Sequence, residues 1–139
     1  MRQHLVRVKV PTRGRSLVDV THEIRAAVRA SGLQEGLVTV FVRHTSASVI
    51  IQENADPDVL GDMLRFFARL VPDGDPSYRH DAEGPDDMPA HVRAALTATQ
   101  VALPFSGGAL LLGTWQAVYL FEHRSHPHTR ELVLHVLGE

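Results

Sequence analysis

Four of the nine histidines in this sequence lie where a functional site could form. His44 and His123 each end an apolar, strand-like segment, His80 lies in an acidic loop, and His91 opens a short helical segment. If three of these imidazoles converge, they suit a catalytic zinc ion, which takes three protein ligands and leaves a fourth position for water or substrate. No local signature such as His-Glu-x-x-His is present. The spacing therefore leaves open which side chains meet.

A pair of aspartates, Asp86 and Asp87, is a second candidate for chemistry. Because Pro89 suits the first position of a helix, the sequence predicts Met88 as the N-cap and gives the aspartates no capping task. Paired carboxylates could bind Mg²⁺, which takes oxygen ligands. The alternative is a loop of solvated charge.

The segment Glu122-His123-Arg124 ends a predicted strand. Alternation along a strand places Glu122 and Arg124 on one face and His123 on the other. Either a bulge intervenes, or the two faces serve different sites or subunits. The alternative for Glu122 and Arg124 is a structural salt bridge on one face.

Apolar rows with a two-residue period predict the strands that position these groups. One row comprises Val6, Val8 and Val10, and another comprises Val38, Val40 and Val42. His44 continues the second row and Ser46 repeats its face, while Asn54 and Asp56 begin the next helix. We therefore expect these polar groups to gather at one rim. Asn54 and Asp56 are equally well explained as a turn former and a helix N-cap.

The segment DPDVLGDMLRFFARL gives the strongest helix prediction, with Asp56 as N-cap and Pro57 at N1. Its apolar stripe comprises Leu60, Met63, Leu64, Phe67 and Leu70. An earlier helix is predicted to begin after Thr21 as cap and to end at Gly32. Residues 72–88 form a long polar loop, and long loops of compact domains are often functional.

The predicted strand TWQAVYLFEH is apolar on both faces. Trp115, Ala117, Tyr119 and Phe121 lie on one face, and Val118 and Leu120 lie on the other. Both faces must therefore be covered. In a chain this small, we expect a neighbouring subunit to be a candidate for the second cover.

Length and composition limit the classes of protein. The 139 residues fit one domain, residues 1–139. A net charge of -2 without a basic cluster argues against nucleic acid as a partner. The absence of cysteine excludes disulfides and thiolate metal sites. Neither a signal peptide nor a membrane span is evident, so we predict a cytoplasmic location and no membrane partner.

Four segments, HTSASVIIQENADPDV, YRHDAEGPDDMPAHV, GTWQAVYLFEHR and the final GE, together resemble the YjbQ family. The resemblance runs over nearly the whole chain. It implies an α+β fold of mixed or antiparallel sheets with about three helices, assembled as a homotrimer with polar motif residues near the subunit contacts. The sequence HPHTR after EHR departs from the family pattern, which tends to have a glycine pair there, and Pro127 restricts this backbone.

The resemblance also implies a secondary thiamine-phosphate synthase activity, which joins a pyrimidine-methyl pyrophosphate to a thiazole phosphate with loss of pyrophosphate. The dedicated enzyme for this reaction is similar to a TIM barrel, which typically needs about 250 residues, so the activity would use another kind of site here. The candidate histidines and carboxylates predict a divalent metal, zinc or magnesium, as the cofactor, and the implied activity predicts a small phosphorylated molecule as the substrate.

The family motif covers thirteen residues of this chain, and we predict catalytic roles for six of them and binding roles for seven. In this interpretation Arg124 neutralises phosphate, histidines hold a metal or move protons, and carboxylates bind Mg²⁺ or orient histidine. The predicted metal ligands are His44, His91 and His123. The predicted catalytic residues are His44, Asp87, His91, Glu122, His123 and Arg124, and the predicted binding residues are Ser46, Asn54, Asp56, His80, Glu83, Asp86 and Gln116.

The same residues are compatible with two other functions. The same metal could activate water in a zinc-dependent hydrolase. Alternatively, the polar cluster could hold a metal or a small phosphorylated ligand in a trimer that catalyses no reaction.

Overall fold

Eight strands and three helices make up the computed structural model, which describes residues 1–139. In chain order they are β1 (Arg2–Thr12), β2 (Ser16–Asp19), α1 (Thr21–Ser31), β3 (Glu35–Val42), β4 (Ala47–Glu53), α2 (Pro57–Leu70), α3 (Asp87–Leu96), β5 (Gln100–Ser106), β6 (Ala109–Leu110), β7 (Gln116–Glu122) and β8 (His128–Gly138).

The strands form two sheets. A five-stranded sheet has the order β1-β8-β3-β5-β6, and a three-stranded sheet has the order β2-β7-β4. Every ladder is antiparallel. The predicted single α+β domain with three helices is therefore confirmed, with antiparallel rather than mixed sheets.

The main core lies between the two sheets and α1. Val38, Val40 and Val42 of β3 are buried as the two-residue period predicts, and they pair across the ladder with buried residues of β8. Those β8 residues are Leu132, Leu134 and Val136. Ile24 and Val28 of α1 join the same core. Because these rows are continuous, they hold the strand ends that carry the polar groups in a fixed register.

Strand β7 is buried on both faces, as predicted. Its cover comes from the same chain, however, and a neighbouring subunit is not needed for it. Val118 and Leu120 belong to the main core, while the ring of Phe121 meets Phe67 of α2 with the ring centroids 5.2 Å apart. Trp115 precedes β7, which begins at Gln116, and it is 63% exposed, so its predicted place on the buried face is wrong.

Helix α2 begins as predicted. Asp56 is its N-cap, with the carboxylate accepting a hydrogen bond from the Asp58 N–H at 2.9 Å, and Pro57 opens the helix. Of the predicted apolar stripe, only Phe67 is buried, and Leu70 is 54% exposed. The stripe covers less of the sheet than its periodicity indicates.

Two predicted helix starts are corrected. Thr21 is the first residue of α1 and not its cap, and its hydroxyl accepts a hydrogen bond from the Val118 N–H instead. Gly32 ends α1 in the left-handed conformation, as predicted. Helix α3 begins at Asp87 with Asp86 as N-cap, so Met88 as N-cap is wrong. Pro89 is tolerated there because the first turn of a helix leaves its N–H groups free.

The polar loop ahead of α3 contains no helix or strand from residue 72 to residue 86, as predicted. None of the helices is long and apolar enough to cross a membrane. A cytoplasmic location stays a prediction.

Candidate active site at the start of helix α3

A cluster of two histidines and one aspartate forms where the acidic loop enters α3. The Asp87 Oδ2 atom lies 2.6 Å from His80 Nε2 and 3.2 Å from His91 Nε2. One ligating atom from each of the three residues lies within 4.8 Å of the others. The donor set comprises two imidazoles and one carboxylate, which is a set that binds zinc and related divalent ions.

Local structure explains why these side chains meet. Asp87 and His91 are four residues apart on α3, so they lie on the same helix face. His80 reaches them from the loop, and its ring lies 5.3 Å from the His91 ring between centroids. The His91 Nδ1 atom lies 2.9 Å from the carbonyl oxygen of Thr45 and donates to it, which leaves Nε2 directed at Asp87.

Arg124 contacts Asp87 at Oδ1, the carboxylate oxygen that does not face the histidines. Its Nη1 atom lies 2.9 Å from Asp87 Oδ1, its Nε donates to Asp86 Oδ2 at 2.9 Å, and its Nη2 donates to the Glu83 carbonyl oxygen at 3.0 Å. The guanidinium is buried and faces acceptors of its own chain. Arg124 is therefore placed to orient the aspartates. Because its donors already face these acceptors, it is not free for the predicted role of neutralising a substrate phosphate.

These contacts set the protonation of the cluster. Burial opposes ionisation of Asp87, but hydrogen bonds from His80 and the charge of Arg124 outweigh it and lower the pKa of Asp87. Burial also opposes ionisation of Asp86, whose pKa is nevertheless well below its usual range because of Arg124 and the Ser125 N–H. The hydrogen bond to Asp87 raises the pKa of His80. The carboxylates are thus ionised and ready to bind a cation or to accept a hydrogen bond from histidine.

A second buried network lies beneath the cluster. Glu122 is fully buried, and its Oε1 accepts hydrogen bonds from Arg130 Nε at 2.8 Å and from the Thr12 hydroxyl at 2.6 Å. Its Oε2 accepts the Arg124 N–H at 3.1 Å. Arg130 also donates to the carbonyl and hydroxyl oxygens of Ser46. The alternative of a side-chain salt bridge between Glu122 and Arg124 does not hold, since Glu122 pairs with Arg130 and Arg124 pairs with Asp86 and Asp87.

Sequence reasoning does not find Arg130, Thr12 or the pairing of His80 with Asp87. Arg130 has a signal, because it occupies an inward position of β8 in the same two-residue period as Leu132 and Leu134. An arginine inside an apolar row indicates a buried acidic partner. His80 lies in an irregular loop, so no periodicity assigns its direction.

The predicted metal set of His44, His91 and His123 does not form, because only His91 of the three belongs to the ligand cluster. The His44 Nε2 atom accepts a hydrogen bond from the Glu131 N–H at 2.8 Å, and burial followed by the charge of Arg130 lowers the pKa of His44. His123 directly follows β7 and is fully buried. Its Nε2 atom lies 2.8 Å from the Ser48 hydroxyl. Burial and then the nearby charge of Arg93 lower the pKa of His123 to about 3, so its ring is neutral.

Asn54, Asp56 and Gln116 lie at the opposite end of the three-stranded sheet. The ladder pairs Glu53 with Gln116 at this end and Ala47 with Glu122 at the other, and at ~3.3 Å per residue the two ends are about 20 Å apart. Asn54 donates to the Thr114 carbonyl oxygen at 3.1 Å, and the Gln116 Oε1 atom accepts the Gly113 N–H at 2.8 Å. The expected gathering of Asn54 and Asp56 with His44 and Ser46 at one rim is wrong.

The cluster lies between two clefts. One has a volume of about 310 Å³ and is lined by His80 with Tyr78, Gly84 and Met88. The other has a volume of about 300 Å³ and is lined by His44, Thr45 and His91 with Ala94, Ala95 and Thr99. A ligand in either cleft would lie against one histidine of the cluster. The largest cleft, about 930 Å³, lies elsewhere, where β3 begins and β8 ends, around Gly36 and Leu137.

The turn that departs from the family pattern borders this site. His126 Nε2 lies 3.4 Å from Arg124 Nη2, and the rings of His126 and His128 lie 5.0 Å apart between centroids. His128 Nδ1 lies 2.8 Å from the His126 carbonyl oxygen, to which it donates. The turn therefore contacts the arginine that supports the cluster.

Comparison with known proteins gives a family and related folds. A family model described as UPF0047 protein YjbQ-like matches residues 6–139. A UPF0047 protein of Synechocystis sp. is 57% identical over 138 residues, which cover 99% of this chain and 94% of that protein. UPF0047 protein YjbQ of Escherichia coli O157:H7 is 45% identical over 104 residues, 75% of each chain.

Two solved structures have the same fold. A conserved hypothetical protein of Thermus thermophilus superposes with a TM-score of 0.86 at 37% identity, over 95% of this chain and 99% of that chain. A YjbQ/UPF0047 family protein of Clostridium acetobutylicum superposes with a TM-score of 0.87 at 33% identity, over 95% and 99% of the two chains.

Proposed function

This chain belongs to the UPF0047 YjbQ-like family, and we propose that it is a small enzyme with secondary thiamine-phosphate synthase activity. The convergence of His80, Asp87 and His91 carries the proposal, because it provides a place for a divalent cation. A bound cation would neutralise the charge that develops on a pyrophosphate leaving group. The substrates are a pyrimidine-methyl pyrophosphate and a thiazole phosphate.

The donor set favours zinc or a similar borderline ion over magnesium. Magnesium prefers six oxygen ligands, whereas two of the three donors here are imidazole nitrogens. The Oδ2 atom of Asp87 already lies between the two Nε2 atoms, at 2.6 and 3.2 Å. Arg124 and Thr45 hold the carboxylate and the His91 ring in place, as supporting residues of metal sites do.

The bond changes place modest demands on the side chains. The methylene carbon of the pyrimidine loses its bond to the pyrophosphate oxygen, which departs with the electron pair, and the thiazole nitrogen uses its lone pair to form the new C–N bond. The attacking nitrogen carries no proton, so His80 and His91 need not act as bases. Their task is to hold the cation and the leaving group.

The two clefts suit a reaction between two substrates. His80 lines one cleft and His91 lines the other, and Asp87 joins the two histidines. Substrates bound on the two sides would meet at the cluster, where positioning alone can lower the barrier considerably. Arg124 and Glu122 act as positioning residues, and His44 contributes to the wall of the second cleft.

The test is a synthesis assay with untagged protein supplied with Zn²⁺, Mn²⁺ or Mg²⁺ and both substrates. Wild-type protein should form thiamine phosphate, whereas His91→Ala and Asp87→Asn should not. His22→Ala is the matched control, because His22 is an exposed histidine of α1 outside the cluster. If the wild-type protein forms no more thiamine phosphate than His91→Ala with any of the three metals, the proposal loses its basis.

A zinc-dependent hydrolase is the second candidate. It is favoured by the 48% exposure of the His80 side chain, which leaves one side of the cluster open to water. Zinc-loaded protein given one phosphorylated substrate alone distinguishes the two reactions. Turnover without the second substrate supports hydrolysis, and turnover only with both supports synthesis.

We also propose a homotrimer, either as the enzyme or as a binding protein without turnover. Apolar side chains on the outer face of the five-stranded sheet support self-association: Leu5, Leu37, Phe41 and Leu137 are between 39% and 56% exposed. Light scattering should give three chains for the wild type and fewer for Leu37→Glu. Saturable binding of a phosphorylated metabolite without turnover would favour the binding protein.

A further inference from the structure

The guanidinium of Arg124 has a fourth neighbour besides the two aspartate carboxylates and the Glu83 carbonyl oxygen. Its Nη2 atom lies 3.4 Å from the Nε2 atom of His126. An arginine side chain carries five N–H donors and no acceptor. The His126 Nε2 atom is therefore the acceptor of this hydrogen bond, which requires a neutral ring with its proton on Nδ1.

The other nitrogen of the same ring agrees with this tautomer. His126 Nδ1 lies 3.4 Å from the Ser125 hydroxyl oxygen and 4.0 Å from Asp86 Oδ2. Both neighbours are oxygen atoms that attract a ring N–H. A proton on Nε2 would instead face an N–H of Arg124, which cannot accept it. The ring thus presents its lone pair to the arginine and its N–H to the oxygen atoms.

The turn that carries His126 holds the ring in this position. Pro127 restricts the backbone of the residue that precedes it, and His128 Nδ1 donates to the His126 carbonyl oxygen at 2.8 Å. The His128 ring packs against the His126 ring, with 5.0 Å between the centroids. The Ser125 N–H donates to Asp86 Oδ2 at 2.9 Å. The ring is therefore fixed by its own turn, although its side chain is 53% exposed.

We propose that His126 is a positioning residue of the histidine-aspartate cluster, and that it acts by accepting a hydrogen bond from Arg124. The contacts run from His126 Nε2 to Arg124 Nη2, and from Arg124 Nη1 to Asp87 Oδ1 at 2.9 Å. Because the guanidinium is planar and rigid, an acceptor at one Nη atom restricts the direction of the other. Asp87 presents its second oxygen to His80 and His91. This role rests on the proposed function, because it requires a cation at the cluster.

The test compares zinc affinity among variants of His126, measured by competition with a chromogenic chelator. His126→Ala removes the acceptor, and we expect zinc to bind about threefold to tenfold more weakly. His126→Gln places an amide oxygen near the position of Nε2 and should bind zinc within about twofold of the wild type. His126→Asn places its oxygen near the position of Nδ1 and should bind zinc as weakly as His126→Ala. His22→Ala, at an exposed histidine of α1, should behave as wild type.

A double-mutant cycle separates positioning through Arg124 from a general effect on the turn. In the Arg124→Met background, His126→Ala should change zinc affinity by less than about twofold, because the contact that it removes is already absent. Equal losses in the two backgrounds would overturn the proposal, and so would an unchanged zinc affinity of His126→Ala. If Arg124→Met fails to fold, equal affinities of His126→Gln and His126→Asn would still contradict it.

The tautomer of His126 gives a readout that needs no metal. Long-range proton–nitrogen NMR spectra of zinc-free protein, at a mildly alkaline pH where imidazole is neutral, should show the ring proton on Nδ1 and none on Nε2. A proton on Nε2 in a chain that binds zinc would overturn the role of His126 alone. A chain that has the expected tautomer and binds no zinc would overturn the proposed function, and the positioning role with it.

Discussion

The two ends of the three-stranded sheet carry similar polar residues and use them differently. At the end with Gln116 and Glu53, the polar groups satisfy local backbone: Asn54 and Gln116 close a turn, and Asp56 caps α2. At the end with Glu122 and Ala47, long-range contacts join strand ends, the acidic loop and α3. Residue type alone therefore does not mark a site. What distinguishes the second end is convergence of groups that are far apart in sequence.

The two ends also differ in burial. Asn54, Asp56 and Gln116 are exposed, so their hydrogen bonds compete with water. Asp86, Asp87, Glu122 and Arg124 are buried, and each has a charged partner. Buried, paired charges are costly to break and fix the geometry around them. This difference makes the two ends respond differently to substitution.

The largest predicted effect comes from Arg130→Met. The change leaves Glu122 buried without its cation, and we expect a loss of about 3–5 kcal/mol in the free energy of unfolding. Chemical denaturation measures it. Arg43→Met is the control, because the ion pair between Arg43 and Glu131 is partly exposed and should contribute at most about 1 kcal/mol. Equal losses in the two variants would contradict the buried network.

Acid should destabilise the buried end selectively. The folded-state pKa values of Asp86 and Glu122 lie below the ordinary values of 3.8 and 4.5, although burial alone would raise them. Their contribution to stability is therefore complete above those ordinary values and is lost as pH falls towards the folded pKa values. Denaturation curves between neutral pH and pH about 3 measure this loss. Arg124→Met should show a smaller acid-dependent loss than wild type.

Arg124→Met also tests the support of the cluster. Removing a residue that orients a metal ligand typically costs 10–100-fold in metal affinity, and we expect a loss of about that size for zinc. Competition with a chromogenic chelator measures it. Unchanged affinity in a folded variant would show that Arg124 does not position Asp87.

The smallest predicted effect lies at the opposite end of the sheet. Asp56→Ala removes the N-cap of α2 and should lower the free energy of unfolding by about 1 kcal/mol. Zinc affinity should stay at the wild-type value, because Asp56 lies at the far end of the sheet from the cluster. Reduced zinc binding in this variant would contradict the separation of the two ends.

Much of the fold can be predicted from periodicity. The inward rows of β1 and β3 and the start of α2 at Asp56 follow from the two-residue period and from the capping chemistry. Strand β2 escapes prediction because its four residues are too few to establish a period. The predicted start of α3 is wrong because proline is permitted throughout the first turn of a helix and does not fix the first residue.

The sequence predicts which residues belong to the candidate site, but it does not predict which of them contact one another. The sequence marks Asp87 and His91 as candidates, and their contact follows from the four-residue spacing on helix α3. The sequence also predicts His44 and His123 beside His91, because both follow apolar strands, and this prediction is wrong. The faces on which they lie depend on strand register and on contacts with Glu131 and Ser48, which sequence spacing does not determine.

The metal content of untagged protein tests the central claim most directly. After exposure to zinc and removal of free ion, elemental analysis should give one ion per chain for the wild type and for Asp56→Ala. It should give almost none for Asp87→Ala or for the double variant His80→Ala/His91→Ala. A folded wild-type chain that retains no more zinc than Asp87→Ala would contradict the account.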